Sequence, residues 1–104
     1  MIVTIVTFHL AEPPTLDAST APLQATAPKS QGRPGLLRKN YWVSEDGSRA
    51  GGIYVWESRA AADAIYTDEW KAFVTGKYGS PPEIEYFHSP VMVDNRDGSI
   101  TAAA

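Results

Sequence analysis

One β-hairpin, between residues 34 and 56, constrains the fold of this chain more than any other feature. Two runs rich in β-branched and aromatic residues, 36–43 and 50–56, flank a polar turn that contains Asp46 and Gly47. An Asp-Gly pair between such runs favours a two-residue turn, because both central positions need a positive φ angle. The turn therefore sets which residues of the two strands face each other.

The predicted register gives one face of the hairpin an unusual composition. It places Lys39 opposite Tyr54. It also places Tyr41 opposite Gly52. Side chains alternate between the two faces of a sheet, so these four residues share one face with Trp56. An ammonium, two phenols and an indole then surround a position without a side chain. This composition is more typical of a pocket than of a plain core.

Hydrophobic periodicity and capping residues predict the remaining elements. In chain order they are a buried strand over 2–8, a proline-containing helix over 16–31, the hairpin, an Ala-rich helix over 59–66, a helix that begins at 68 and ends at Gly76 or Gly79, and a final strand over 84–93 that Pro90 interrupts. The predicted N-caps are Ser19 or Thr20, Ser58, and Thr67. Residues 94–104 are polar, glycine or alanine except for Ile100, so we expect a flexible C-terminal tail.

The element order βαββαβ is that of ferredoxin-like folds. It predicts an α+β domain over residues 1–93, with an antiparallel sheet and helices on one face. Both faces of the first and third strands are apolar, so the second face also needs a cover. A second copy of the chain is the simplest cover, since two-fold dimers are the commonest assembly. We therefore expect a homodimer packed sheet against sheet.

Composition excludes several classes of protein. A length of 104 residues with 43% hydrophobic content predicts one domain. The net charge of −3 and the scattered Lys and Arg residues argue against nucleic acid and anionic membranes as partners. The absence of cysteine excludes a thiolate metal site. The N-terminal run lacks the basic segment of a signal peptide, so a cytoplasmic protein is expected.

The hairpin residues also carry a family resemblance. Residues 34–37, Lys39, Tyr41 and residues 50–56 resemble the signature of the YdhR family of monooxygenases, which belongs to the dimeric α+β barrel superfamily. The likeness extends over residues 1–93, although the family's usual tryptophan is Tyr41 here and the first helix contains two prolines. The resemblance implies a homodimer with a pocket between sheet and helices in each subunit. It also implies oxygenation of an aromatic or polyketide-like compound without a cofactor.

Such a reaction sets requirements for the site. Without metal or flavin, the substrate must supply the electrons, so it must first become a phenolate or an enolate. The protein then needs a base, a group that holds the anion, and an aromatic cavity. We predict His9 and His88 as bases, because they alone titrate near neutrality unaided, and Lys39 with Tyr54 as the holders of the oxyanion. The predicted substrate-binding residues are Tyr41, Gly52, Trp56, Tyr66, Trp70, Phe73 and Tyr86.

Each assignment has a structural alternative. Lys39 alternatively extends past Tyr41 to solvent, and the aromatics alternatively form core and dimer interface. The glycine pair is also typical of a β-bulge, and the two histidines are also typical of residues on the protein surface. A metal site on His9 and His88 is not expected, because an offset of about three residues separates them by on the order of 10 Å. A second function class stays open: a non-oxidative ligand-binding module, or an acid–base cyclase or isomerase, on the same fold.

Overall fold

The computed structural model describes residues 1–10 and 22–102. Ser19 and Thr20, the alternative N-caps of the first helix, lie outside the described residues. The described strands and helices are β1 (Ile2–His9), α1 (residues 22–26) with a 3-10 turn (Ala27–Lys29), β2 (Leu36–Val43), β3 (Arg49–Trp56), α2 (Arg59–Asp63), α3 (Asp68–Tyr78), β4 (Glu83–His88), β5 (Val91–Asp94) and β6 (Ser99–Ala102). None of the described helices is long and apolar enough to cross a membrane.

Strands β1 to β4 form one antiparallel sheet in the order β2-β3-β1-β4. The predicted ferredoxin-like α+β fold is therefore confirmed. Alternate residues of β1, among them Val6 and Phe8, pack toward the helices against Ala62, Tyr66 and Val74. The core therefore lies between the sheet and its helical layer, while the other sheet face has no helix of the described residues on it.

The hairpin register is confirmed, but the turn type is wrong. From Arg38 to Val43 the pairing is the predicted one, and a bulge before Arg38 shifts Leu36 to face Trp56. In the turn, Gly47 alone has a positive φ, of 74°, so Asp46 does not form the expected two-residue turn. The connection instead contains the six residues 44–49 between the last paired positions, Val43 and Ala50. The predicted turn and the observed connection are both centred between Asp46 and Gly47. The register of the two strands is therefore the same for both.

The helix caps follow the sequence closely. The Ser58 hydroxyl accepts a hydrogen bond from the Ala61 amide at 3.2 Å, and the Thr67 hydroxyl accepts one from the Trp70 amide at 3.1 Å. Gly79 ends α3 with a φ of 83°. Helix α2 is shorter than predicted, because it ends at Asp63 and residues 64–66 form the connection to α3.

The C-terminal region contains structure that the sequence pattern did not predict. The expected strand over 84–93 is two strands, because β4 ends at His88 and β5 begins after Pro90. Strand β5 then pairs with β6 through a turn at 95–98. All four residues of β6 are exposed. The flexibility of residues 94–104 stays a prediction.

Candidate functional site

A cavity of about 540 Å³ lies between the helix-facing side of the sheet and the segments α1 and α3. Its volume is within the ordinary range for small-molecule sites. The cavity opens where β3 presents Ala50 and Gly52 to the interior, since neither fills the space between the layers. Its other lining side chains include Phe8, Leu23, Thr26, Lys29, Ser30, Arg33, Lys39, Tyr41, Tyr54, Ile65, Trp70, Phe73, Val74, Lys77 and Tyr78.

The two adjacent glycines of β3 have different roles. A Cβ atom on Gly51 would overlap the backbone carbonyl of Val6, so this glycine permits close approach of two strands. A Cβ atom on Gly52 would lie 2.9 Å from Cε1 of Tyr54 and 3.4 Å from Cε of Lys39. Gly52 therefore leaves the space into which the Lys39 and Tyr54 side chains extend.

Lys39 lies between two phenol rings. Its Nζ atom is 4.1 Å from the ring centroid of Tyr41 and 4.6 Å from that of Tyr54, both within cation–π range. The ammonium also donates a hydrogen bond to the Ser30 hydroxyl at 3.2 Å. Burial lowers the pKa of Lys39, and the nearby Arg33 charge adds to that effect, while Tyr41 opposes it. The group is therefore a cation in a partly desolvated, aromatic environment.

Tyr41 carries the phenol whose ionisation this environment favours. Its oxygen lies 2.9 Å from the Thr26 hydroxyl, which is also hydrogen-bonded to the Leu23 carbonyl at 3.0 Å. Burial raises the pKa of Tyr41, but the polar groups of Thr26, Lys39 and Ser30 together outweigh it, so the net shift is downward. Tyr41 is thus the described tyrosine with a lowered pKa.

The neighbouring end of the same layer is packed rather than hollow. Trp56 is fully buried, and its indole N–H donates to the Thr4 hydroxyl at 2.9 Å. The Thr4 oxygen also lies 2.6 Å from the Tyr66 phenol oxygen. Burial raises the pKa of Tyr66 to about 12, and burial likewise raises the pKa of Tyr54, whose ring stacks on Trp56. Thr4, Trp56 and Tyr66 satisfy one another, and none of the three lines the cavity.

The structure brings together part of the predicted site. Lys39, Tyr41, Gly52, Tyr54, Trp70 and Phe73 line the cavity. Trp56 and Tyr66 belong to the packed core and do not line it. Tyr86 lies outside it too, with the Arg59 guanidinium 3.6 Å from its ring centroid.

Neither histidine lies in the cavity. His9 is exposed, and its Nε2 atom is 3.0 Å from a carboxylate oxygen of Glu83. His88 is exposed and faces Ile2 across the sheet, so seven residues of β1 separate the two histidines, a distance of roughly 23 Å. The expected offset of about three residues is therefore wrong, although the conclusion that the pair does not bind one metal is unaffected.

Several lining residues were not identified from the sequence. Phe8 and Tyr78 stack at 4.3 Å between ring centroids and form one wall. Thr26, Ser30 and Arg33 come from the segment between α1 and the hairpin, where two prolines weakened the helix pattern. The available signal was a cluster of basic and hydroxyl residues at 26–33, directly before the hairpin.

The charges at the cavity have one sign. Lys29, Arg33, Lys39 and Lys77 line it, and within residues 1–10 and 22–102 no Asp, Glu or His does. The described residues also contain no group of three or more His, Cys, Asp or Glu side chains placed to hold a metal ion. Cations, hydroxyls and phenols are poor ligands for divalent metals and good partners for an organic anion.

No protein-family model matches the sequence, and no curated protein matches it. Several solved structures share its fold. A monooxygenase from the gene ActVA-Orf6 of Streptomyces coelicolor, in complex with the ligand nanaomycin D, has a TM-score of 0.63 and 22% identity over 85% of this chain and 86% of that chain. An antibiotic biosynthesis monooxygenase has a TM-score of 0.63 and 18% identity over 86% of this chain and 98% of that one. Rv0793 from Mycobacterium tuberculosis has a TM-score of 0.59 and 18% identity, covering 85% of this chain and 93% of that chain. At these identities the likeness is one of fold.

Proposed function

We propose that this protein is a cofactor-independent monooxygenase of the YdhR type that acts on a small phenolic or polyketide-like aromatic compound. The observation that carries the proposal is the position of the Lys39 ammonium, 4.1 Å and 4.6 Å from two phenol ring centroids in an aromatic-lined cavity. A cation at this place stabilises a phenolate, and the rings around it suit a planar ligand. The substrate-binding surfaces are those of Phe8, Trp70 and Tyr78.

The proposed base is Tyr41, and the proposed holders of the anion are Lys39 and Tyr54. The histidines do not reach the cavity, so the proton of the substrate needs another acceptor. The lowered pKa of Tyr41 raises the fraction of its phenolate form at a given pH, which favours its role as a base. Tyr54 has a raised pKa because it is buried, so it keeps its proton and donates it as a hydrogen bond.

The oxidation itself requires only the substrate anion and dioxygen. Tyr41 takes the phenol proton, and the phenolate transfers one electron to dioxygen. The resulting superoxide and the substrate radical form a C–O bond at a ring carbon. The peroxide takes back the proton from Tyr41, and the hydroperoxide then loses water with the hydrogen of the same ring carbon, which leaves a quinone and restores the Tyr41 phenolate. One oxygen atom enters the product and the other leaves as water, so the four electrons lost by the substrate equal those gained by dioxygen.

The structural neighbours support the proposal at the level of the fold. The structure from Streptomyces coelicolor is described as that of a monooxygenase and contains nanaomycin D as its ligand. This chain has the same fold, and its cavity of about 540 Å³ is of a size for one small aromatic molecule. The residues that support turnover here are nevertheless those of this chain, since fold alone does not set activity.

Oxygen uptake with a naphthol, in buffer stripped of metal and flavin, tests the proposal. We expect uptake of one dioxygen per quinone formed. Tyr41→Phe should lower the turnover rate by about 10²-fold or more, as expected for loss of a general base. Lys39→Met should shift the rising limb of the pH–rate profile upward, because Lys39 helps to lower the pKa of Tyr41. Tight binding of the naphthol without oxygen uptake would favour the ligand-binding module instead.

The proposal includes a homodimer. The sheet face opposite the helices exposes Ile53 and Phe87, at 40% and 45% of their surface. Strands β5 and β6 add the exposed Val91, Val93 and Ile100. A second copy would remove these apolar side chains from water. Sedimentation at micromolar concentration should give the mass of two chains, and the mass of one chain would refute the assembly.

A further inference from the structure

The cavity concentrates positive charge in an acidic protein. The chain has 12 acidic and 9 basic side chains, for a net charge of −3. Four of the nine basic side chains nevertheless line this one cavity, and none of its described lining residues is acidic. Like charges gathered without described counter-charges repel one another, and a bound anion relieves that repulsion.

Arg33 shows where such an anion would bind. Its Nε atom is buried and has no hydrogen-bond partner among the described residues. A buried donor without a partner is unfavourable for a folded protein, and more so when it belongs to a charged group. The Arg33 charge also acts on Lys39 and on Tyr54, in both cases lowering the pKa. Arg33 and Lys39 line the same cavity, so their two charges belong to one site.

We infer that the substrate carries a carboxylate, which Arg33 and Lys39 hold at the end of the cavity nearest Ser30. The inference rests on the proposed function for the identity of the site, and it adds the substrate class: a phenolic aromatic acid. The two terminal nitrogens of a guanidinium form a planar fork that matches the two oxygens of a carboxylate. Lys39 has Ser30 as its described hydrogen-bond acceptor, so two of its three N–H donors are available, one for the carboxylate and one for the substrate hydroxyl.

The rest of the cavity suits the body of such a molecule. The stacked rings of Phe8 and Tyr78 give a flat wall, and Trp70 lies 6.4 Å from Phe8 between ring centroids. Gly52 leaves space beside the phenols of Tyr41 and Tyr54. A ligand anchored by its carboxylate would thus present its hydroxyl to the lysine and the two tyrosines, as the proposed reaction requires.

Calorimetric titration without oxygen tests this inference with two ligands that differ only in the carboxylate, a naphthol and a hydroxynaphthoate. We expect the hydroxynaphthoate to bind the unmodified protein about 10- to 100-fold more tightly, the gain of one charge-assisted pair. Arg33→Gln should remove most of that difference while changing the affinity for the naphthol by less than about 2-fold. Compared with Arg33→Gln, Arg33→Lys should keep part of the difference in affinity, because lysine has the positive charge but lacks the planar fork.

The matched control is Arg49→Gln, which makes the same charge change at an exposed residue outside the cavity. It should leave both affinities unchanged, and circular dichroism should show that each variant is folded. The inference would be overturned if the unmodified protein bound the two ligands with equal affinity. It would also be overturned if Arg33→Gln weakened the binding of both ligands by the same factor. Oxygen uptake with the naphthol, together with no preference for the hydroxynaphthoate in binding, would refute only the inference that the substrate carries a carboxylate. Arg33-dependent binding of the acid without oxygen uptake refutes only the proposed function.

Discussion

The two ends of the inward face of β3 differ in one property, the size of the side chains. At one end the strand presents Ala50 and Gly52 to the helical layer, and at the other it presents Tyr54 and Trp56. The small end borders the cavity, whereas the large end continues into the core, where Trp56 is fully buried and Tyr54 lies at the boundary of the cavity. A single strand thus supplies both a packed region and a hollow one, within four alternate positions.

The polar groups at the two ends differ in the same way. At the packed end the hydroxyl of Thr4 meets both the indole of Trp56 and the phenol of Tyr66, at 2.9 Å and 2.6 Å. At the hollow end Arg33 keeps a buried N–H without a described partner, and Lys39 contacts rings and one hydroxyl. Internally satisfied groups stabilise the fold, whereas a cation with few partners retains hydrogen-bond donors for a ligand.

The largest effect should come from emptying the packed end. Trp56→Ala removes a fully buried indole and leaves Thr4 without one of its partners. We expect the free energy of unfolding to fall by about 3–5 kcal/mol. Tyr41→Ala, at the hollow end, should cost only about 1 kcal/mol, because its ring is half-buried and already borders space. Urea denaturation measures both, and similar losses would contradict the division into two ends.

A smaller but sharper contrast concerns the adjacent glycines. Gly51→Ala places a methyl group against the Val6 carbonyl, which the backbone cannot avoid, so we expect a loss of about 3 kcal/mol in stability. Gly52→Ala meets only the side chains of Tyr54 and Lys39, so the loss should stay near about 1 kcal/mol. The same variant should weaken naphthol binding, because the new methyl group displaces those side chains into the cavity. Equal destabilisation by the two substitutions would show that Gly52 is structural as well.

Much of the fold followed from local sequence signals. The register across Lys39 and Tyr54 was predictable because a symmetric turn centred on Asp46 and Gly47 specifies it, even though the turn type differed. The caps Ser58 and Thr67 were predictable because their hydrogen bonds are made within one helical turn. Six of the predicted site residues line the cavity, and all six lie on the hairpin or on α3.

The remaining errors concern contacts between segments distant in the sequence. Tyr66 and Trp56 are aromatic like Tyr41, so the residue type does not distinguish core from cavity. Their hydrogen bonds to Thr4 on β1, a residue distant in the sequence, place both in the core. The offset between His9 and His88 was underestimated because the register of β1 with β4 has no turn to specify it. Arg33 was missed because its segment has no regular periodicity. Ligand sites built from such loops are the least visible in a sequence.

Alkaline titration should separate the tyrosines of the two ends. Tyr41 has a lowered pKa, so it should ionise in the folded protein below the ordinary value of 10. Tyr66 has a pKa raised from 10 to about 12, so the folded state retains its proton. The stabilisation from Tyr66 is complete below pH 10 and is lost as the pH rises towards about 12. Tyrosinate absorbance should therefore show an early step that Tyr41→Phe abolishes, and a later step that coincides with unfolding. A single step in the unmodified protein would contradict this assignment.

The affinity of the protein for a naphthol, titrated without oxygen before and after Lys39→Met, tests the central claim that the hollow end of the layer is a ligand site. The substitution keeps an unbranched side chain and removes the charge, so the fold should persist. We predict about 10- to 100-fold weaker binding, as expected for loss of one charge-assisted hydrogen bond. Lys71→Met, at an exposed position on α3 outside the cavity, should leave the affinity unchanged. Unchanged affinity in folded Lys39→Met would contradict the account.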